Sequence, residues 1–347
     1  MTLNRLVITV VLFAFYCSQV SAQEKATAVC PSLFDGDDVL PISLHFDITT
    51  HLRKKSEDYK PGKIVFYFDD EDSIMVDVRC RARGNYRKEK CFFAPLILNF
   101  KPDTLFTTDG PLTKVKMVTH CVNSRQYTEY VLEEYLIYKL WELISPYAFR
   151  TKLLDINYVD TGKKGKNLQA KGFLIEPMYM MAYRTNTIEV DGEYFKDHEI
   201  NTMDADRMAF FCYMIGNTDW RIKSGHNVKF IKRFGHRREE VTSIPYDFDH
   251  AGLVNTSYAM PAEWASVGSV TERQYIGRCR SNDDNYHTLI DEYLAVEESI
   301  YETILNFEEL DLKQRKQIYK YITSFYKELH RPKSFIRMLH QECMESY

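Results

Sequence analysis

The segment 244-IPYDFDHAG-252 ends an apolar run with two carboxylates, Asp247 and Asp249, one residue apart. Acids spaced this way at a strand end make either a surface turn or a divalent-cation site. Upstream, 217-NTDWRIKSGHN-227 places Asp219 in a polar loop, with Asn227 eight residues further on and just before another strand. Taken together, the two segments suit phosphoryl transfer, which asks for positioning and charge neutralisation rather than covalent chemistry. In that pattern Asp219 is the catalytic base and Asn227 a metal ligand. Asp247 is the main metal carboxylate, and Asp249 is a second ligand or a support for the first. Hard oxygen donors beside phosphate favour Mg2+ or Mn2+. His226 and His250 adjoin these residues and keep a metal-dependent hydrolase open as a different chemistry.

A nucleotide, ATP or another, would need cations on its phosphates. The strand 114-KVKMV-118 offers Lys116 or Lys114, which share a face and cannot be separated by period 2 alone. The following helix offers Glu134 as the partner that orients the lysine, with Glu133 as the alternative. The basic turn 83-RGNYRKEK-90, beginning at Arg83, could cover phosphates through backbone N–H groups and its cationic side chains. The stretch 173-FLIEP-177, with Glu176, sits where a strand could receive the base of the nucleotide. Each feature alone also has a plain reading, as a solvated strand face or a hairpin turn.

The elements that would position these groups change along the chain. Strand patterns cover Leu40–Leu52, Lys63–Phe68, Ser73–Cys80, Cys91–Phe100 and 114–121, before a helix over Arg125–Ser145. Arg150–Tyr158 and Lys171–Glu176 read as a hairpin about 160-DTGKKGKN-167. A helix over Asp204–Gly216 precedes two short strands, Asn227–Ile231 and Val241–Tyr246, joined by the basic loop 232-KRFGHRREE-240. From Asp284 to the end the pattern is helical.

The chain has 347 residues, 45% of them hydrophobic, and a net charge of −4 with both signs interleaved, which argues against a nucleic-acid partner. Residues 1–22 read as a signal peptide, with an apolar run over Leu6–Tyr16 and cleavage after Ala22. That run is short of a membrane span and no later run is apolar enough, so a periplasmic or secreted protein without a span is expected. Of the seven remaining cysteines, Cys91 and Cys121 are the first expected pair, Cys80 and Cys91 its rival, and Cys212 a buried free thiol. No zinc spacing, GxSxG elbow or Walker motif occurs.

These residues together resemble a known family. RGN at 83–85, the KVKMV strand, the helix 134-EYLIYKL-140, NTDW with its later HN, and PYDFDHAG are similar to the spore-coat CotH-type kinases, and more so to their exported bacterial relatives. The resemblance runs from Val76 to Gly252, with 270-VTERQYIGRC-279 as a further stretch. It implies an atypical kinase that uses ATP with Mg2+ or Mn2+ and phosphorylates hydroxyl groups of secreted or envelope proteins. Asp219 matches the family's catalytic Asp, Asn227 the following Asn and Asp247 the metal Asp. The chain departs from protein kinases in its longer Asp-to-Asn interval, in bulky Trp220 and in lacking a glycine-rich loop.

The expected fold is therefore α+β and two-lobed, protein-kinase-like. A β-rich N-terminal lobe with one long helix would occupy 23–190, and a mostly helical lobe carrying the metal and catalytic hairpin would occupy 191–347. The expected function is an exported, metal-dependent phosphotransferase acting on a protein or small-molecule hydroxyl. The alternatives are an inactive, pseudokinase-like binding module and a different metal-dependent hydrolase.

Overall fold

The computed structural model describes residues 28–68, 72–84, 86–163, 165, 167–190, 195–234 and 241–345. The expected signal peptide over 1–22 and most of the basic loop at 232–240 lie outside the described residues.

The elements run β1 (Ala28–Cys30), β2 (Leu40–Phe46), α1 (Ile48–Lys54), β3 (Lys60–Tyr67), β4 (Ser73–Ala82) and α2 (Tyr86–Lys90). Next come β5 (Leu96–Phe100), β6 (Leu105–Thr107), β7 (Gly110–Pro111), β8 (Lys114–Thr119) and α3 (Arg125–Ile144). β9 (Thr151–Asp160), β10 (Leu168–Ile175), α4 (Met178–Arg184), β11 (Thr187–Glu189) and α5 (Thr202–Ile215) follow. The chain finishes with β12 (Val228–Arg233), β13 (Thr242–Pro245), α6 (Asp284–Ala295), α7 (Glu297–Leu305), α8 (Leu312–Leu329) and α9 (Pro332–Glu342).

The two-lobed, kinase-like fold is not what the chain adopts. It is a mixed α/β protein built on a closed seven-stranded barrel in the order β10-β8-β5-β4-β3-β2-β9. Closure comes from one long-range contact, the parallel pairing of β2 with β9 from Leu40↔Leu154 to Phe46↔Asp160. The other barrel pairs are antiparallel. Closing the sheet leaves no exposed edge, and alternate residues fill the interior. Leu44, Ile64, Phe66, Leu98, Met117 and Ile156 form that inner core, all fully buried.

A second core joins α3 to the helices that follow. Leu136, Leu140 and Trp141 of α3 belong to the same buried cluster as Phe210 and Phe211 of α5, Tyr293 of α6 and Phe325 of α8. The helix from the strand-rich half is thus packed into the helical half. The three-stranded sheet β11-β12-β13 also straddles residue 190, the expected boundary, because Glu189 pairs with Ile231.

The strand expected over Leu40–Leu52 stops at Phe46. Asp47 caps α1 by accepting the Thr50 N–H at 2.8 Å, and Asp160 accepts the N–H groups of Ile48 and Thr49 at 2.9 and 3.2 Å. An aspartate whose oxygen satisfies first-turn donors starts a helix where the apolar pattern continues as if in a strand. The basic turn at 83–90 likewise contains the short helix α2.

Candidate functional site

Among the described residues two disulfides form. Cys91–Cys121 ties the end of α2 to the end of β8, as the first of the expected alternatives had it. Cys279–Cys343, which the sequence had not singled out, ties the loop before α6 to the C-terminal end of α9. Cys30, Cys80 and Cys212 are free and buried.

A cleft of about 580 Å3 opens between the barrel and the β12–β13 hairpin. Arg83, Gly84, Arg87 and Lys116 line it from the barrel side, and Asp219, His226, Asn227, Asp247, Asp249 and His250 from the other. The walls are of opposite charge, and residues from Arg83 to His250 meet there.

The loop carrying Asp219 starts at a helix end. Gly216 closes α5 in the left-handed conformation, φ 67°. Asn217 Oδ1 then accepts the Asp219 N–H at 2.9 Å, an Asx turn that fixes the backbone of the acid. Trp220 is buried and packs in the core. Residues 221–226 fold back on themselves, with N–H to O bonds of 2.9 and 3.0 Å in both directions between Arg221 and His226. That turn absorbs the long interval and returns Asn227 to Asp219. Asn227 Nδ2 donates to the Asp219 backbone oxygen at 2.8 Å and to Oδ2 at 2.9 Å. His226 Nε2 lies 2.8 Å from Asp219 Oδ1. Burial pushes the Asp219 carboxyl up, but the bond and charge of His226, with His250 and Asn227, outweigh it and hold the acid below its usual range. His226 is in turn raised by its bond to Asp219.

β12 and β13 pair as Val228↔Pro245, so the residues just outside the hairpin, Asn227 and Tyr246–Asp247, come together at one end. Asn227 and Asp247 both adopt left-handed backbone, φ 52° and 65°. Non-glycine residues held there carry strain that clusters at functional sites, and Asn and Asp tolerate it best. The Asp247 N–H donates to Tyr138 Oη at 3.0 Å, which docks the segment on α3. Among the described residues, no hydrogen bond or ion pair of the Asp247 carboxylate is formed.

Asp249 is different. It is 7% exposed, and its Oδ2 accepts from the Tyr258 hydroxyl at 3.0 Å. Its carboxyl is pushed up, by burial first and then by Asp247, with Arg87 opposing. Glu134, on α3, is 1% exposed and pushed well up by burial and by Asp249.

The Lys–Glu pair expected to hold phosphate does not form. Lys116 Nζ sits over the Tyr246 ring, 4.6 Å from its centroid, and burial with Arg83 pushes its pKa down to about 8. Glu134 pairs instead with Arg87, Nη1 to Oε2 at 3.6 Å, and Arg87 also donates to the Thr119 carbonyl. Burial opposes the Arg87 charge, but Tyr258, Asp249, Glu134 and Asp247 outweigh it and keep the guanidinium cationic. Lys88, its neighbour, reaches out to Glu57 instead. The basic turn marked this segment in the sequence, but which of its cations is buried depends on how α2 sits against β8.

Three expected residues stand apart from the cleft or its floor. Lys114 is exposed. Glu176 is buried and bound to Arg184 at 2.8 Å, and with Lys114 and Lys116 it lines an adjacent, more apolar pocket of about 340 Å3. Glu133 is half-buried and pushed up to about 8 by burial and by Glu129.

Among the described residues no three His, Cys, Asp or Glu side chains group so as to hold a metal by themselves. Asp247 and Asn227 remain as oxygen donors. Both Nδ2 bonds of Asn227 go to Asp219, which leaves Oδ1 as its atom for a cation. A Mg2+-type ion held by one or two protein oxygens and otherwise by substrate phosphate and water fits such a set. Compared with known proteins, the chain matches no family model, no curated protein and no solved structure.

Proposed function

We propose that the chain is a metal-dependent phosphotransferase, moving phosphate from a nucleotide to a hydroxyl of a protein or small molecule. One observation carries this reading. A single cleft has a cationic wall of Arg83, Arg87 and Lys116 facing Asp219, Asn227 and an open Asp247. Cations would take the phosphate oxygens, and Asp247 with Asn227 Oδ1 would hold Mg2+ or Mn2+, which neutralises the charge of the transferred group. Asp219, kept anionic by its donors, would receive or orient the hydroxyl proton. The adjacent apolar pocket beside Lys116 suits the base of the nucleotide.

The engagement of both Asp219 oxygens, by His226 and Asn227, favours one second reading. A cleft whose acid is already satisfied would bind nucleotide without transferring phosphate. Export is part of the proposal as well. Two disulfides suit an oxidising compartment, and no helix among the described residues is long and apolar enough to cross a membrane. Cleavage after Ala22 is the corresponding proposal for the N-terminus.

A thermal-shift titration with ATP and Mg2+ or Mn2+ tests the site. A metal-dependent rise in Tm, lost in Asp247→Ala, is expected, and no shift with any nucleotide overturns the reading. Phosphate transfer to a generic protein acceptor, lost in Asp219→Asn while the shift remains, separates enzyme from binding module.

A further inference from the structure

We infer that Arg87 is a built-in cation standing where a second divalent ion would otherwise be needed, so that the cleft takes one metal ion with its nucleotide rather than two. The inference rests on the metal-binding reading above.

Arg87, Asp249 and Asp247 line the cleft, and Glu134 pairs with Arg87 at 3.6 Å. Two of the three acids are closed to solvent metal. Glu134 is 1% exposed and Asp249 7%. Asp249 spends Oδ2 on Tyr258, and Glu134 spends Oε2 on Arg87. Of the three, only Asp247, half-buried, keeps a carboxylate without a bond to the described residues. Buried carboxylates need a cation or hydrogen bonds to offset their lost hydration, and a fixed guanidinium supplies the charge without any ion from solution.

A second observation concerns the same ion pair. Glu134 Oε1 and Arg87 Nε are both buried and without hydrogen-bond partners. A buried ion pair that leaves one acceptor and one donor unfilled has room in its hydrogen bonding for a further small group. A buried water suits either atom. The guanidinium is held by the Thr119 carbonyl and by Glu134, while Cys91–Cys121 anchors the helix that carries it. Arg87 is thereby placed in advance, as a second metal ion would be placed by its ligands.

Counting bound ions tests this. The full-length, oxidised protein is dialysed against Mn2+ with a non-hydrolysable ATP analogue, and bound Mn2+ is measured per bound nucleotide. One ion is expected in the wild type. Two are expected in Arg87→Gln, where the acids lose their guanidinium. Should Arg87→Gln fold only when Mn2+ is added, by near-UV circular dichroism, that metal dependence is the same result in another form. Two ions in the wild type overturn the proposal, as does a folded Arg87→Gln that still binds one. If that variant stays unfolded with Mn2+, the wild-type count decides. A wild type that binds no Mn2+ with the nucleotide overturns the metal-binding reading itself, and this inference with it.

Discussion

His226 Nε2 and Asp219 Oδ1 are 2.8 Å apart across a turn that brings residues seven apart in sequence to one point of the cleft. The pair shifts both groups toward their charged forms, Asp219 downward and His226 upward. Since the folded pKa of His226 is raised, its stabilising contribution is present below the unfolded value of about 6.5 and fades as pH rises through the folded value. The expected outcome is a His226 resonance titrating above 6.5 by NMR and dropping when Asp219→Asn removes the carboxylate. A wild-type value at or below 6.5 would contradict the pairing. In a transfer assay Asp219→Asn should lose about 10²- to 10⁴-fold, the usual worth of a positioned base.

Asp247 pairs a half-buried carboxylate with a left-handed backbone, φ 65°. Glycine enters that region without strain. Asp247→Gly should therefore stay within about 1 kcal/mol of wild-type stability while losing the metal-dependent thermal shift. Asp247→Val, β-branched at positive φ, should lose about 2 kcal/mol or more. Urea melts of both variants check the contrast, and equal losses would show that this backbone is not strained.

Buried His51 of α1 and His120, just after β8, flank Phe93, with ring centroids 5.3 and 5.1 Å from it. Both are pushed down to about 4, by burial first, with a bond to Ala94 opposing at His51 and Arg87 adding at His120. The unfolded chain binds more protons between about 6.5 and that value, so stability is full above 6.5 and falls as pH drops through the window. The loss should be on the order of 3 kcal/mol for each histidine by pH 4. Denaturant melts from pH 7.5 to 4.5 should show it, and His120→Phe should remove about half of the slope. An unchanged slope in that variant would assign the acid lability elsewhere.

Cys91–Cys121 closes a 30-residue separation and Cys279–Cys343 one of 64. Loop-closure entropy gives each about 4 kcal/mol. Their variants should differ in function, however. Cys91→Ser/Cys121→Ser frees the segment that carries Arg87 and should weaken nucleotide binding as well as stability. Cys279→Ser/Cys343→Ser lies away from the cleft and should lower Tm alone. Equal nucleotide affinity in both would show that the first bond does not position the cleft.

Much of this molecule was legible one element at a time. β3, β4, β8, α3, α5, the β9–β10 hairpin and the C-terminal helices follow from apolar period and from punctuation by Pro, Gly and Asp. Two short motifs also led to Asp219, Asn227 and Asp247, which the cleft brings together. These signals are local, because each depends on neighbours within a turn or a strand.

What only the tertiary structure decided is partner choice. Closure of the barrel depends on β2 meeting β9 more than a hundred residues away, and a closed and an open sheet have the same alternation along each strand. The layout therefore looked two-lobed when the chain makes a barrel. Glu134 could be read as the partner of a strand lysine, yet it pairs with Arg87, because α2 and Cys91–Cys121 bring that guanidinium to it while Lys116 settles on Tyr246. Residue type and spacing determine which groups are available for chemistry. Which of them are buried together, and so feel one another's charge at short range and low dielectric, is settled only when distant segments pack.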